Sequence, residues 1–241
     1  MPPVKTDKPE PIHVDISPWD HVTALAYRAA HGGSAAPTLI LAHGAGANQT
    51  SSFMVHFATA LAARGVDTVT FNFLYTEQGR RLPDKNDRLE SCWRAVIAAV
   101  HGGNAPAGKN QQKAGRRKLV IGGKSMGGRI ASQIAAAGDG VAGLVFLGYP
   151  LHPPGRPDKL RSQHLGAIRA PMLFVQGSRD SFGTPDELRA ALADANAAAD
   201  LFVVEGGDHS FKVPKRGAMP QDAVYDAMLD EIVRWLREKV G

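Results

Sequence analysis

Three residues carry the functional groups that acyl transfer needs. Ser125 is the centre of Gly123-Lys124-Ser125-Met126-Gly127, a G-x-S-x-G that follows an apolar, strand-like run and precedes a helical pattern. A nucleophile elbow requires that context, because its serine sits on a tight strand-to-helix turn where side chains two residues before and after it would clash. The turn projects the hydroxyl from the carboxyl end of a sheet, beside the positive end of a helix dipole. A serine hydroxyl is a weak nucleophile at neutral pH and needs a base, itself oriented by a carboxylate. Asp180, in Gly177-Ser178-Arg179-Asp180, and His209, in Gly206-Gly207-Asp208-His209-Ser210-Phe211, each follow an apolar run of their own. Alone, the pentapeptide favours the elbow over its other reading, a Gly/Ser turn that merely caps a helix. With acid and base following in order, each after a separate strand, Ser125, Asp180 and His209 form the candidate catalytic set.

Other residues compete for these roles less well. Asp208 adjoins His209 and is expected to point away from it, and Glu205 still belongs to the end of its strand. Asp186 lies in the first turn of a helix, where stabilising the dipole explains it. His152 and His164 flank a proline-rich loop; His13, His21, His31, His56 and His101 read as solvent- or loop-facing. There is no H-E-x-x-H and no other compact histidine–carboxylate cluster, so neither a metal nor another cofactor is expected. A tetrahedral oxyanion also needs fixed donors. The N–H of Met126 follows the nucleophile directly, and the loop His43-Gly44-Ala45-Gly46-Ala47 offers the N–H of Ala45 as the second. His43 itself reads as a structural hydrogen-bonder, and the loop contains no G-x-G-x-x-G for a dinucleotide.

Six short apolar runs must position these residues: Thr38–Ala42, Asp67–Phe71, Lys118–Gly122, Gly143–Leu147, Met172–Gln176 and Asp200–Val204. Each reads as apolar on both faces, as strands covered by helices on both sides must be. Helical patterns alternate with them at Ser52–Arg64, Asp87–Val100, Met126–Ala137, Pro185–Asn196 and Gln221–Val240. The fourth starts most clearly, with Thr184 as N-cap, Pro185 at N1 and Glu187 at N3. Ile12–Ile16 and Val22–Ala29 alternate around Pro18-Trp19-Asp20 and read as an antiparallel hairpin at the sheet edge. The expectation is an α/β fold: a mostly parallel sheet with helices on both faces, in a single domain over residues 11–241 behind a flexible tail over residues 1–10.

Composition fits this layering. The 241 residues are 44% hydrophobic and 21% charged, with a net charge of +5, which excludes a disordered or coiled-coil chain. One cysteine, Cys92, excludes an intramolecular disulfide framework and cysteine-rich metal sites, and reads as a buried thiol. No apolar run approaches the roughly 20 residues of a membrane span, and no apolar segment follows the amino-terminal lysines, so a cytoplasmic protein without membrane contact is expected. The basic charges are scattered, and the densest run, Lys113–Lys118, reads as a solvated loop, so no nucleic-acid partner is expected. Oligomeric state has no signature here.

Taken together, LAHGAGANQTS, GGKSMGGRIAS, GYPLHPP, QGSRDSFGTP and GGDHSF resemble the α/β-hydrolase superfamily, in particular its dienelactone-hydrolase-like group and the KANL3/Tex30-type branch within it. The resemblance runs from about Thr38 to the carboxyl terminus. It implies the α/β-hydrolase fold, the triad Ser125, Asp180 and His209, and an oxyanion hole framed by Ala45 and Met126. One departure limits it: dienelactone hydrolases proper use a cysteine nucleophile, and Ser125 stands at the matching position. The eukaryotic relatives also include a scaffold subunit of a chromatin acetyltransferase assembly.

About twenty residues, Gly148 to Ile168, separate two strands where many hydrolases insert a cap. Pro150, Pro153, Pro154 and Pro157 break them too often for a cap domain. An open cleft is therefore expected, with Phe53, Tyr75, Tyr149, Leu151, His152, Phe182 and Phe211 as its candidate lining. It suits small or medium acyl esters. Lys124 and Arg129 flank the nucleophile and are expected to form salt bridges with a carboxylate such as Asp84 or Glu90; Arg80-Arg81 reads as a solvated loop. The leading reading is ester hydrolysis through an acyl-enzyme. A non-catalytic interaction protein on the same fold and a peptide or amide hydrolase are the alternatives.

Overall fold

The structure, a computed structural model, describes residues 8–29, 37–102, 118–214 and 219–241. His31 and nearly all of the Lys113–Lys118 run lie outside the described residues, as do positions 1–7 of the expected tail. The chain opens with an antiparallel hairpin, β1 (Glu10–Asp15) and β2 (His21–Tyr27), and continues as alternating strands and helices. These are β3 (Thr38–Ala42), α1 (Ser52–Ala63), β4 (Asp67–Phe71), α2 (Leu74–Glu77), α3 (Asn86–His101), β5 (Leu119–Lys124) and α4 (Met126–Ala136). Then follow β6 (Gly143–Leu147), β7 (Met172–Gly177), α5 (Pro185–Asp194), β8 (Asp200–Val204) and α6 (Gln221–Lys239). One eight-stranded sheet runs in the order β1-β2-β4-β3-β5-β6-β7-β8, antiparallel at β1-β2 and β2-β4 and parallel elsewhere. The expected architecture, with an edge hairpin and without a large cap, is the one observed.

Period-two alternation along the strands divides the core between the two faces. Ile40, Ile121, Phe146 and Phe174 pack towards α3 and α4, whereas Leu39, Val120, Val145 and Val175 pack towards α1 and α6. On α6 the expected stripe Val224, Met228, Ile232, Trp235 and Leu236 is buried; full burial of such a side chain stabilises by about 1.5–3 kcal/mol. Trp235 donates its indole N–H to Asp200 at 2.7 Å, which fastens α6 to β8. The α5 start is the capping box read from Thr184 and Glu187.

Three local expectations are corrected. β5 extends through Gly123 and Lys124, because its parallel register with β6 continues to the pair Lys124↔Leu147. A Cβ at Gly122 would lie 1.8 Å from the Val145 carbonyl oxygen, so glycine is what permits that pairing. β8 is not covered on both faces: as an edge strand it leaves Leu201, Phe202 and Val203 half-buried. The α5 helix ends at Asp194, two residues early, and Asn196 takes a left-handed φ of 50° just beyond it.

Between β3 and β5 the chain reverses its direction of travel across the sheet, since β4 lies on one side of β3 and β5 on the other. In open parallel sheets, ligands bind outside the carboxyl ends of strands at such a point. The loop His43–Ala47 and Ser125 leave those two strand ends.

Candidate active site

Ser125 caps α4 with φ 50° and ψ −115°, a backbone conformation rare for a residue with a side chain. The flanking glycines make the turn possible: a Cβ at Gly123 would lie 2.2 Å, and one at Gly127 2.4 Å, from the carbonyl oxygen of Ala42. Both glycines therefore press against the end of β3. The turn is fixed on its other side by the Ser125 N–H, which donates to Leu147 O at 3.1 Å.

The loops after β7 and β8 converge on this turn. Ser178 N–H donates to Val204 O, Arg179 N–H to Gly207 O, and Gly206 N–H to the Ser178 hydroxyl, so the two loops are stitched into one unit. His209 Nε2 lies 2.9 Å from Ser125 Oγ, and His209 Nδ1 lies 2.8 and 3.0 Å from the two carboxylate oxygens of Asp180. A carboxylate only accepts, so Nδ1 carries the proton and donates, and Nε2 is left to accept from the serine hydroxyl. Asp180 is fully buried, while the His209 side chain keeps 19% of its surface exposed. The Phe182 ring stacks on the imidazole, centroids 4.1 Å apart, and its N–H donates to Asp180 Oδ1 at 2.8 Å. Asp208 turns away as expected and caps the next turn, accepting from the Ser210 and Lys212 N–H groups.

Met126 is the first residue of α4, where amide groups have no intrahelical acceptor. Ala45 lies in a turn closed by Ala47 N–H to Gly44 O, and a Cβ on Gly44 would be 3.4 Å from Ser125 Cβ. The backbone of this loop therefore passes directly beside the serine. His43 is buried and engaged on both ring nitrogens, with Gly44 O and with Phe73 N–H.

Of the seven expected cleft residues, Tyr75, Tyr149, Leu151, His152 and Phe211 are buried. Tyr149 donates its hydroxyl to Arg161 O at 2.8 Å, and burial pushes its pKa up to about 12. His152 donates from Nδ1 to Pro153 O, with Nε2 3.5 Å from Glu187. Only Phe53 and Phe182 keep partly exposed side chains, so packing rather than a cleft wall accounts for the other five. His164 turns inward to the Ser132 hydroxyl at 2.7 Å. Cys92 is the expected buried thiol, its pKa raised by burial to about 12.

The expected salt bridges of Lys124 and Arg129 are corrected. Asp84 is held by Arg80 at 2.8 Å and Glu90 by Arg94 at 3.2 Å. Lys124, brought to the end of β5, donates instead to the His209 carbonyl at 2.6 Å and lies over the Phe211 ring. Arg129 donates to Asn86 Oδ1 at 3.4 Å. Sequence reasoning missed two contributors to the site: this Lys124 bond and Gln176, whose amide reaches Asp180. A lone polar residue ending the otherwise apolar run MLFVQ was the available signal for Gln176.

Among the described residues, no three His, Cys, Asp or Glu side chains cluster as metal ligands, and no helix is long and apolar enough to cross a membrane.

An open, mostly parallel sheet with a serine on a strained strand-to-helix turn at its carboxyl edge defines the α/β-hydrolase fold. The alpha/beta hydrolase domain family matches residues 35–237, and the chain belongs to that family. Among solved structures the chain is similar to a dienelactone hydrolase from Anabaena variabilis, at 19% identity and TM-score 0.69, over 98% of this chain and 100% of that one. It is also similar to an esterase from Pyrococcus furiosus, at 11% identity and TM-score 0.74, over 97% and 92%. A third likeness is to a serine hydrolase from Xanthomonas campestris described as having no lid, at 17% identity and TM-score 0.64, over 99% and 96%. Identities this low speak to the fold.

Proposed function

We propose that the protein is a serine hydrolase that cleaves carboxylic esters of small or medium size through an acyl-enzyme. One observation carries this reading: the unbroken chain from Ser125 Oγ to His209 Nε2 at 2.9 Å and from His209 Nδ1 to Asp180 Oδ2 at 2.8 Å. His209 takes the serine proton as Ser125 Oγ attacks the ester carbonyl. Asp180 holds the imidazole tautomer and stabilises the imidazolium. The N–H groups of Ala45 and Met126 receive the tetrahedral oxyanion, and such preorganised donors contribute more here than in water. His209 then protonates the departing alcohol, and a water activated by the same imidazole releases the acid from Ser125.

The motifs LAHGAGANQTS, GGKSMGGRIAS, GYPLHPP, QGSRDSFGTP and GGDHSF support a place in the dienelactone-hydrolase-like group and its KANL3/Tex30-type branch. The nucleophile differs from the cysteine of dienelactone hydrolases, so the substrate is not taken from the group's name. Turnover of a p-nitrophenyl ester series by wild type and Ser125→Ala tests the assignment. The expected result is a loss of about a thousandfold or more in kcat with unchanged folding. Equal rates in the two proteins would reject it, as would failure of a fluorophosphonate to label Ser125.

A further inference from the structure

We propose that Gln176 is a positioning residue for the acid of the site: it fixes the rotamer of the Asp180 carboxylate and so the line along which His209 faces Ser125. The inference rests on the hydrolase reading for its catalytic consequence, but not for the geometry itself.

Gln176 is fully buried in the last turn-ward stretch of β7, and every polar atom of its amide is used. Its Nε2 donates to Gly183 O at 2.7 Å and to Asp180 Oδ2 at 3.0 Å, with Tyr149 O at 3.3 Å. Its Oε1 accepts from Tyr149 N–H at 2.8 Å. One side chain thus joins two pieces of backbone that leave neighbouring strands, the loop after β6 at Tyr149 and the loop after β7 at Gly183, to the Asp180 carboxylate. The register Leu147↔Val175 places the ends of β6 and β7 side by side, so the amide reaches both loops without leaving its strand.

The carboxylate needs such a holder. The terminal torsion of an aspartate is broad and roughly two-fold, so packing alone does not set it. Phe182 N–H fixes Oδ1, and Gln176 fixes Oδ2 against the imidazole. Removing the amide leaves Oδ2 in a buried site with His209 as its remaining polar partner. The carboxylate is then anchored on the backbone only at Oδ1, by Phe182 N–H, and can swing Oδ2 off the Nδ1–H direction, which loosens the orientation of the base. The titratable groups around this carboxylate are His209, in direct contact with it, and Lys124, whose ammonium feels the charges of both Asp180 and Asp208.

The test uses full-length Gln176→Met, which keeps length and apolar volume, and Gln176→Glu, which keeps shape and polarity but sets a second carboxyl beside Asp180. With p-nitrophenyl butyrate, both are expected to lose about ten- to a hundredfold in kcat at nearly constant KM. The acid limb of kcat/KM is expected to move by about half a pH unit or more, which a purely structural defect would not produce. Independently of turnover, proton NMR reads the downfield His209 Nδ1–H resonance, expected to shift or broaden in every folded variant. A folded variant with wild-type kcat, acid limb and Nδ1–H resonance overturns the proposal. A wild type that neither turns over esters nor reacts with a fluorophosphonate, alongside a shifted resonance in the variants, rejects the hydrolase reading and leaves Gln176 as the holder of Asp180. If Gln176→Met fails to fold, Gln176→Glu decides by the same three measurements.

Discussion

His43 donates from Nδ1 to the carbonyl oxygen of its own neighbour, Gly44, at 2.8 Å. The carbonyl of Gly44 and the N–H of Ala45 belong to one planar trans peptide unit and point in opposite directions. Fixing the first therefore aims the second. Ala47 N–H reinforces the same carbonyl at 3.2 Å, and His43 Nε2 accepts from Phe73 N–H at 3.3 Å, which locks the ring in the neutral Nδ1–H tautomer. His43 thus sets the direction of the N–H proposed as an oxyanion donor.

His43→Ala is expected to lower kcat for short-chain esters by about ten- to a hundredfold at similar KM, part of the 10²–10³ that a whole oxyanion donor supplies. It also orphans the buried Phe73 N–H, at a cost of about 1–3 kcal/mol. A pH effect follows from burial, which holds the His43 pKa below its ordinary value. The unfolded chain takes up a proton at this histidine near pH 6.5 and the folded chain does not, so the group's contribution to stability is lost as pH falls through that range. Guanidinium unfolding at about pH 7.5 and 5.5 should show a larger loss for wild type than for His43→Asn, whose amide keeps the donor and does not titrate. Equal losses would remove the titration argument.

The strain at Ser125 gives a stability test that separates backbone from hydroxyl. At an ordinary site, glycine is less stable than alanine by roughly 0.5–1 kcal/mol. With φ at 50° the order should invert, because alanine retains the Cβ that makes the conformation costly, by about 1–3 kcal/mol. Both variants lack the serine hydroxyl and its bond to His209, so those losses cancel in the comparison. Ser125→Gly is expected to melt above Ser125→Ala by roughly 2–4 °C for a domain of this size. An alanine variant equal to or more stable than the glycine variant would mean that the turn stores no strain.

The catalytic candidates were legible because each lies at a place the sequence marks twice. Ser125 has glycines on both sides whose missing side chains make room for Ala42, and Asp180 and His209 each lie in the loop that follows an apolar run of strand length. The capping box at Thr184 and the stripe on α6 were legible for the same reason, local chemistry agreeing with local pattern. Features that depend on which strands become neighbours were not. Gln176 acquires its partners from the β6–β7 register, and Lys124 reaches His209 because β5 runs two residues beyond its apolar portion. Tyr149, Leu151 and Phe211 looked like cleft residues from their positions beside the motifs, but the loops fold their side chains inward. The four-residue helix α2 is too short to show a period at all.

Lys124 supplies the last prediction. Its ammonium donates to the His209 carbonyl, with Phe211 beneath it, in a half-buried position where desolvation lowers its pKa to about 8 against the favourable pull of Asp180 and Asp208. The sign follows from proton counting. Between about pH 8 and the ordinary lysine range near 10.4, the unfolded chain holds a proton at this site that the folded chain has released, so stability rises with pH across that window. Other groups titrate there too: buried Cys92 and Tyr149, with raised pKa values, lower stability as the unfolded state loses their protons. The comparison must therefore be made against Lys124→Met, which preserves those groups and removes only this one. The stability of wild type relative to Lys124→Met is expected to climb steadily from pH 8 to 10 in urea unfolding, and to be flat below pH 7. A flat difference throughout would place the lysine pKa at its ordinary value and the ammonium in water. Its bond to the His209 carbonyl would then be too weak to hold that loop.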